Sequence, residues 1–371
     1  MVKIKSVRSE VESEITQQLV EGATAQQNPQ LRQHRILQGN KWLAASCLQK
    51  SIRRGLVDTA LSAVAALHQI APEYAFARLG IIAYEDIGMA NPELCGQVLL
   101  GKRKAIRKKV GDAQLLHHLV GQCAASVKDR TATDLLCLTI YDKQVDQLEH
   151  QCRTSSPVQL ADIALDESLP LAHRASACKC LAGYRKFDEG RYEVLSAPRM
   201  TYLMDVCETL GVSPRIQYLV QAGHNKTCYL NTMLPLVHQL ISNSPSLTVV
   251  DDNLATPLVN GIPAATFDKY TQTGKQAIAY FAKACAPVRK FFDRHPDIKP
   301  VPALAMLLFH IEGSLLDRAI NFTGRGAILE EIESAEMAAY GLTDPLLVTE
   351  LRELVQNNMD ALNHARCKML G

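Results

Sequence analysis

An all-α fold, with helical hairpins packed as an array or bundle, is what this sequence predicts. Apolar residues recur at helical spacing along most of the chain. Helix-start signals, a small polar residue followed by proline, return several times, and only residues 247–250 (LTVV) carry the pattern of a strand. Helices joined by short loops then bury their apolar stripes against one another.

Residues 1–35 are polar and glutamine-rich, hold one helix at most, and are expected to stay flexible because they cannot form a core alone. From Trp42 the helical pattern begins. Asp58 is placed to cap a helix that carries Leu61, Val64, Ala65 and His68 on one stripe. Ala71-Pro72-Glu73 starts the next helix, with Phe76, Leu79, Ile82 and Ala83 at helical spacing and Gly88 closing it. Asn91-Pro92, Leu169-Pro170, Ser213-Pro214 and Asp344-Pro345 repeat the start signal. Residues 157–186 read as one HEAT-type hairpin, although no regular repeat surrounds them. The last helix, from Pro345, places Leu347, Leu351, Leu354 and Leu362 on one side. The Ser/Pro-rich stretch 242–263 is an ordered loop or a domain boundary. The expected organisation is a flexible segment (1–35), a helical domain (36–150) and a second helical domain (151–371).

Composition narrows the function classes. A chain of 371 residues is long enough for two domains, and 47% hydrophobic with 21% charged residues is ordinary for a soluble globular protein. The formal net charge of +2 means that any polyanion-binding surface must be local. The most apolar run, 301–311, is too short to span a bilayer, and the N-terminus lacks a signal-peptide core, so a cytoplasmic location without membrane contact is expected. Eleven cysteines without repeating spacing indicate reduced thiols. Cys178 and Cys180 form a CxC, not the CxxC of a zinc knuckle, and no metal site or cofactor is expected.

Two motifs stand out. The first runs Lys50-Ser51-Ile52-Arg53-Arg54-Gly55, then Asp58-Thr59-Ala60-Leu61. The second is Ala77-Arg78-Leu79 followed by Ala83-Tyr84-Glu85-Asp86-Ile87-Gly88-Met89-Ala90-Asn91-Pro92. In order and spacing these resemble the KSIRGSDPDAAL, ARRL and ASEDIGLADP stretches in the C-terminal helical region of the RarA (MgsA) family of AAA+ ATPases. Residues 127–132 (VKDRTA) echo the family's APKSNA turn more faintly. The resemblance covers residues 42 to about 140, a quarter of the chain. It implies a clamp-loader-collar-like helical domain of the kind that supports oligomers and contacts replication proteins at stalled forks. The family's ATPase domain has no counterpart among these motifs. No GxxxxGK followed by Ser or Thr occurs, and Gly274-Lys275 lacks the upstream glycine and the following hydroxyl that would cradle a triphosphate. What the resemblance implies is therefore the oligomerisation module without the motor.

The motif residues Ser51, Arg53, Arg54, Glu85 and Asp86 sit at ends of helices expected to be neighbours. A structural ion-pair network is the simpler reading, and a partner or phosphate gripped by Arg53 or Arg54 the sharper one. Glu85 and Asp86 are adjacent, so on a helix they diverge by about 100° and would not jointly hold one ion. The densest charge run is Lys102-Arg103-Lys104-Ala105-Ile106-Arg107-Lys108-Lys109. With Ala105 and Ile106 inward, its six cations form either a solvated face or a phosphate-binding patch; no aromatic lies in the run to stack on bases. A third cluster comprises Asp268, Lys269, Thr271 and Lys275 at the entry to a helix through Ala277, Ile278, Phe281 and Ala282. It continues with His310, Glu312, Asp317 and Arg318 on a very apolar helix. These residues make either an internal polar network or a site where Lys269, Lys275 and Arg318 grip an anion.

The function expected is that of a non-catalytic helical accessory or adaptor protein in DNA replication, recombination or repair. Its partners would be DNA, replication or repair proteins and further copies of itself, as a dimer or tetramer. The alternatives are an interaction scaffold with no nucleic-acid role, and a metal-dependent nuclease or phosphate-handling enzyme built on Asp268, Glu312 and Asp317. No nucleophile elbow or oriented triad supports nucleophilic catalysis.

Overall fold

Proline and small polar caps set the helix boundaries here. Asn91 accepts a hydrogen bond from Leu94 N (3.1 Å) at the head of helix Pro92–Gly101. Ser213 and Asp344 cap Pro214–Ala222 and Pro345–Gln356 in the same way. The computed structural model describes residues 2–25, 34–141, 144–187, 191–194, 199–224, 226–227, 229–252 and 254–370. Among them the chain forms twenty α-helices and three two-stranded sheets, an all-α fold. No helix among the described residues is long and apolar enough to cross a membrane.

Two compact units make up the chain. The first comprises Met1–Pro29, Phe76–Val250 and Ala319–Ile332; the second comprises Gln30–Ala75, Asp251–Arg318 and Glu333–Gly371. Each is assembled from separated stretches, unlike the consecutive blocks 36–150 and 151–371. Periodicity marks where a helix buries a face but not which later segment covers it. One unit boundary, Val250/Asp251, does fall inside the stretch 242–263.

In the first unit, Val2–Thr24 is a 23-residue helix, not a flexible lead-in. Ile15, Leu19 and Ala23, four residues apart, are fully buried where the helix packs on Pro92–Gly101, Asp112–Ala125 and Pro214–Ala222. Most of the stability of such a helix comes from this packing. Part of the 1–35 segment, residues 26–33, lies outside the described residues. Helices Pro157–Leu165 and Leu171–Leu181 pack as the hairpin expected around 157–186.

In the second unit, helix Val57–Ile70 is preceded by Leu56, so Asp58 lies in its first turn and does not cap it. Helix Gln272–Ala284 starts as expected, with Thr271 Oγ1 accepting from Gly274 N (3.0 Å) and Ala277, Ile278, Phe281 and Ala282 buried. The final helix is broken into Pro345–Gln356 and Met359–Lys368 at Asn357-Asn358. The apolar helix Pro300–Leu308 also ends early. It widens into a π-helical turn, Phe309–Gly313, and Arg318–Phe322 is a strand, so His310 and Arg318 do not share a helix. Ser314 N closes the turn on Phe309 O (2.8 Å), and carbonyls at its end take arginine donors as described below.

Burial also sets the thiol chemistry. It pushes Cys47 up to about 11 and Cys123 and Cys178 up to about 12. Folded values above the ordinary 9.0 mean that these thiols favour the folded state fully below pH 9. That contribution is lost as pH rises through 9 towards 11–12. A thiol-reactive chromogen at pH 8 should label exposed Cys367 promptly and spare these three until denaturant is added. Urea midpoints should be lower at pH 10.5 than at pH 8.

Candidate functional site

Helix Pro72–Ile82 runs directly into a second π-helical turn, Ala83–Ile87, that carries Glu85 and Asp86. Both acids turn to Arg130, whose Nη1 is 2.6 Å from Asp86 Oδ1 and 3.3 Å from Glu85 Oε1. The expected divergence of the two carboxylates is thus not seen. The wider π turn and the longer glutamate side chain bring both onto one guanidinium. Burial opposes the charge on Arg130, yet Asp86, Glu85 and Asp134 together raise its pKa above the ordinary value.

Residues 127–132, the faint echo noted in the sequence, are what clamps this motif. Asp129 N donates to Asp86 O (2.9 Å), and Asp129 Oδ2 accepts from Met89 N (3.0 Å). Asp129 Oδ1 accepts from Thr131 N and Oγ1 (2.9 and 2.6 Å). Lys128 Nζ donates to the carbonyls of Ala124 (2.9 Å) and Ser126. Gly88 sits at φ 47°, and a Cβ there would lie 2.8 Å from Asp129 O, so glycine is required where the two segments touch. Asp86, Lys128 and Asp129 are fully buried.

The other motif lies in helix Lys41–Arg53 of the second unit, where every residue from Leu43 to Arg53 is buried despite its polar composition. Buried polar groups need partners. Lys50 Nζ pairs with Asp268 Oδ2 at 2.7 Å, and Ser46 Oγ donates to Thr266 O (2.9 Å). Arg53 donates to Gly313 O (2.6 Å), and Arg54 to Glu312 O (2.8 Å) and Ala255 O (3.2 Å). Burial pulls the Arg54 pKa down against the opposing pull of Glu312 and Asp317. Ser51 faces Cys47, 3.8 Å away. The Glu312 carboxylate takes both ends of the buried Arg366 guanidinium, and His310 Nε2 lies 2.9 Å from Glu336 Oε2.

Lys269, Lys275 and Arg318 have separate surroundings. Lys269 Nζ is 3.6 Å from Met306 Sδ and faces the rings of Tyr270, Phe309 and Tyr340 at 5.3, 5.5 and 5.9 Å. Lys275 is exposed, and exposed Arg318 pairs with Asp251 at 3.2 Å. The cavity bordered by Asp268, Lys269, Phe309, Glu312 and Arg366 encloses about 10 Å³, room for about one water. These clusters are filled polar cores. Arg130, Arg366 and Glu336, which complete them, are residues that sequence reasoning did not assign.

The basic run is different. It forms helix Lys104–Val110 with Ile106 buried, while Ala105, expected to face inward, is exposed. A helix this short has room for one inward position. Arg103 makes a two-pronged pair with Glu12, and Arg107 pairs with Asp112 (2.8 Å) while lying over the Phe76 ring at 4.3 Å. Lys102 lies against Gly80. Lys104, Lys108 and Lys109 are exposed and have no ion pair among the described residues. No protein-family model, curated protein or solved structure compared with the chain matches it.

Proposed function

We propose that this chain is a non-catalytic helical accessory protein of DNA replication, recombination or repair, which holds nucleic-acid phosphates on helix Lys104–Val110 and assembles with replication or repair proteins and with itself. The observation that carries the reading is the sorting of the basic run. Arg103 and Arg107 are committed to Glu12 and Asp112, whereas Lys104, Lys108 and Lys109 are exposed and have no ion pair among the described residues. Unpaired surface ammonium groups are free to displace counterions from a polyanion, and they lose no internal pair in doing so. The resemblance of the two motifs to the RarA helical region supplies the replication setting. Their ion pairs are buried within each unit, which leaves exposed side chains to make the outside contacts.

The test is DNA binding by fluorescence anisotropy, with single-stranded, duplex and forked DNA over a range of salt concentrations. The triple variant Lys104→Gln/Lys108→Gln/Lys109→Gln should weaken binding to all three. Its log–log salt slope should be shallower by roughly 2–3, since each phosphate contact contributes about 0.7–0.9. Equal affinity and slope for the variant would remove the lysine patch. No binding by the native chain would leave the scaffold reading in its place.

A further inference from the structure

The chain has a single tryptophan, and it is not in the core. Trp42 is 58% exposed, in the first turn of helix Lys41–Arg53, whose cap is Asn40. An indole left in water is costly in apolar area, and exposed aromatics of this kind concentrate at binding surfaces. Trp42 is also held in place. Its ring meets Tyr74 edge-on, with centroids 6.0 Å apart and planes at 74°. The Lys41 ammonium lies over both rings, 4.5 Å from the Trp42 centroid and 4.9 Å from that of Tyr74. The result is an oriented aromatic pair with a cation drawn across it.

The surroundings favour a polyanion. No Asp or Glu occurs between Glu21 and Asp58, whereas Arg35 and Lys41 lie within that stretch close to Trp42 in sequence. Arg35, Gln38, Gly39 and Asn40, which precede Trp42 in the chain, are exposed, as are Ile70 and Glu73 on either side of the turn before Tyr74. Protein-docking aromatics concentrate at the centre of well-packed, desolvated patches. A flat, exposed ring with an ammonium group drawn over it instead matches a base that stacks while a neighbouring phosphate meets the cation. Bases in a duplex already stack on each other, so the ligand with free faces is a single strand.

We infer that Trp42, with Tyr74 and Lys41, is a stacking platform for an unpaired base of single-stranded nucleic acid. This deepens the DNA-binding reading and rests on it. Trp42 is the platform's base contact, Tyr74 fixes its orientation, and Lys41 meets the neighbouring phosphate.

Because Trp42 is the sole tryptophan, emission from the full chain reports on the platform without labelling. Titration with a 20-nucleotide oligothymidine should quench it. A deoxyribose-phosphate polymer of equal length and charge but without bases should not, although it should still bind by anisotropy. Trp42→Ala should weaken oligothymidine binding about tenfold, the loss of one stacked base, and leave duplex affinity unchanged; Trp42→Phe should retain most of the affinity. If oligothymidine binds with no quenching and Trp42→Ala matches the native chain, the platform is refuted while the lysine helix stands. If quenching persists in the triple lysine variant but its affinity for every DNA is unchanged, the lysine helix falls and the platform stands. Absence of binding to any DNA overturns both.

Discussion

Replacing Asp86 by alanine should lower the unfolding free energy by about 3–5 kcal/mol, the usual cost of stripping one partner from a buried ion pair. Asp86 is completely buried, and Arg130, its partner at 2.6 Å, is 5% exposed. Glu85 remains, but at 3.3 Å it is the weaker contact, and it is partly solvated. The guanidinium cannot shed its charge as a lysine would, because arginine stays protonated in proteins. The strain must therefore appear as lost stability. Arg130 also borders Asp129, whose carboxylate and backbone organise the turn at Gly88, so disorder should spread into the YEDIG motif. Urea denaturation followed by circular dichroism measures the loss. An apolar double variant, Asp86→Leu/Arg130→Met, should recover much of it, since a buried pair replaced whole is often near neutral. A loss below 1 kcal/mol for Asp86→Ala would show that Glu85 alone sustains Arg130, and the buried-pair account would be wrong.

This pair also marks how far the sequence could be read. Helix starts were legible because capping is local: Asn91, Ser213 and Asp344 each bond a backbone N–H two or three residues on. The helix through Phe281 and the strand at 247–250 were legible from spacing for the same reason, whereas the short strands Tyr184–Phe187, Arg191–Val194, Leu258–Val259, Ile262–Pro263 and Arg318–Phe322 were not. Partners far apart in sequence were not. Asp86 and Arg130 are 44 residues apart and Glu312 and Arg366 are 54 apart, with nothing local to link them. Motif position alone suggests Glu85 and Asp86 as neighbours of Arg53 and Arg54. The partners found for them are carbonyls of Gly313 and Glu312, groups that composition does not reveal. The two π turns were equally hidden, because a π turn is a local change in hydrogen-bond register that depends on what packs against it. Charge state was half legible. The six cations were countable, but the commitment of Arg103 and Arg107 depends on Glu12, Asp112 and Phe76 arriving from other helices.

Gly274→Ala should be the other large perturbation, and its sign runs against helix propensity. Gly274 lies in the first turn of helix Gln272–Ala284, where alanine would ordinarily stabilise by up to about 1 kcal/mol. A Cβ built there, however, would lie 2.1 Å from Asp268 O and 2.5 Å from both Asp268 N and Phe267 C. All three are backbone atoms, so no side chain can swing aside. The 267–268 segment must move, and Asp268 is the carboxylate that neutralises Lys50, whose side chain is 4% exposed. Overpacking of about 1–3 kcal/mol then adds to the weakening of a buried ion pair, for a total of about 3 kcal/mol or more. Gly121→Ala is the matched control. It lies inside helix Asp112–Ala125, where the added methyl would meet nothing within 4 Å beyond its own stretch of helix, and should stabilise by about 0.5–1 kcal/mol. Urea midpoints moving in opposite directions for the two variants would show that the close approach of Asp268, not glycine's flexibility, fixes residue 274. Parallel shifts would mean that the Asp268 segment yields, and that Lys50 does not depend on its position.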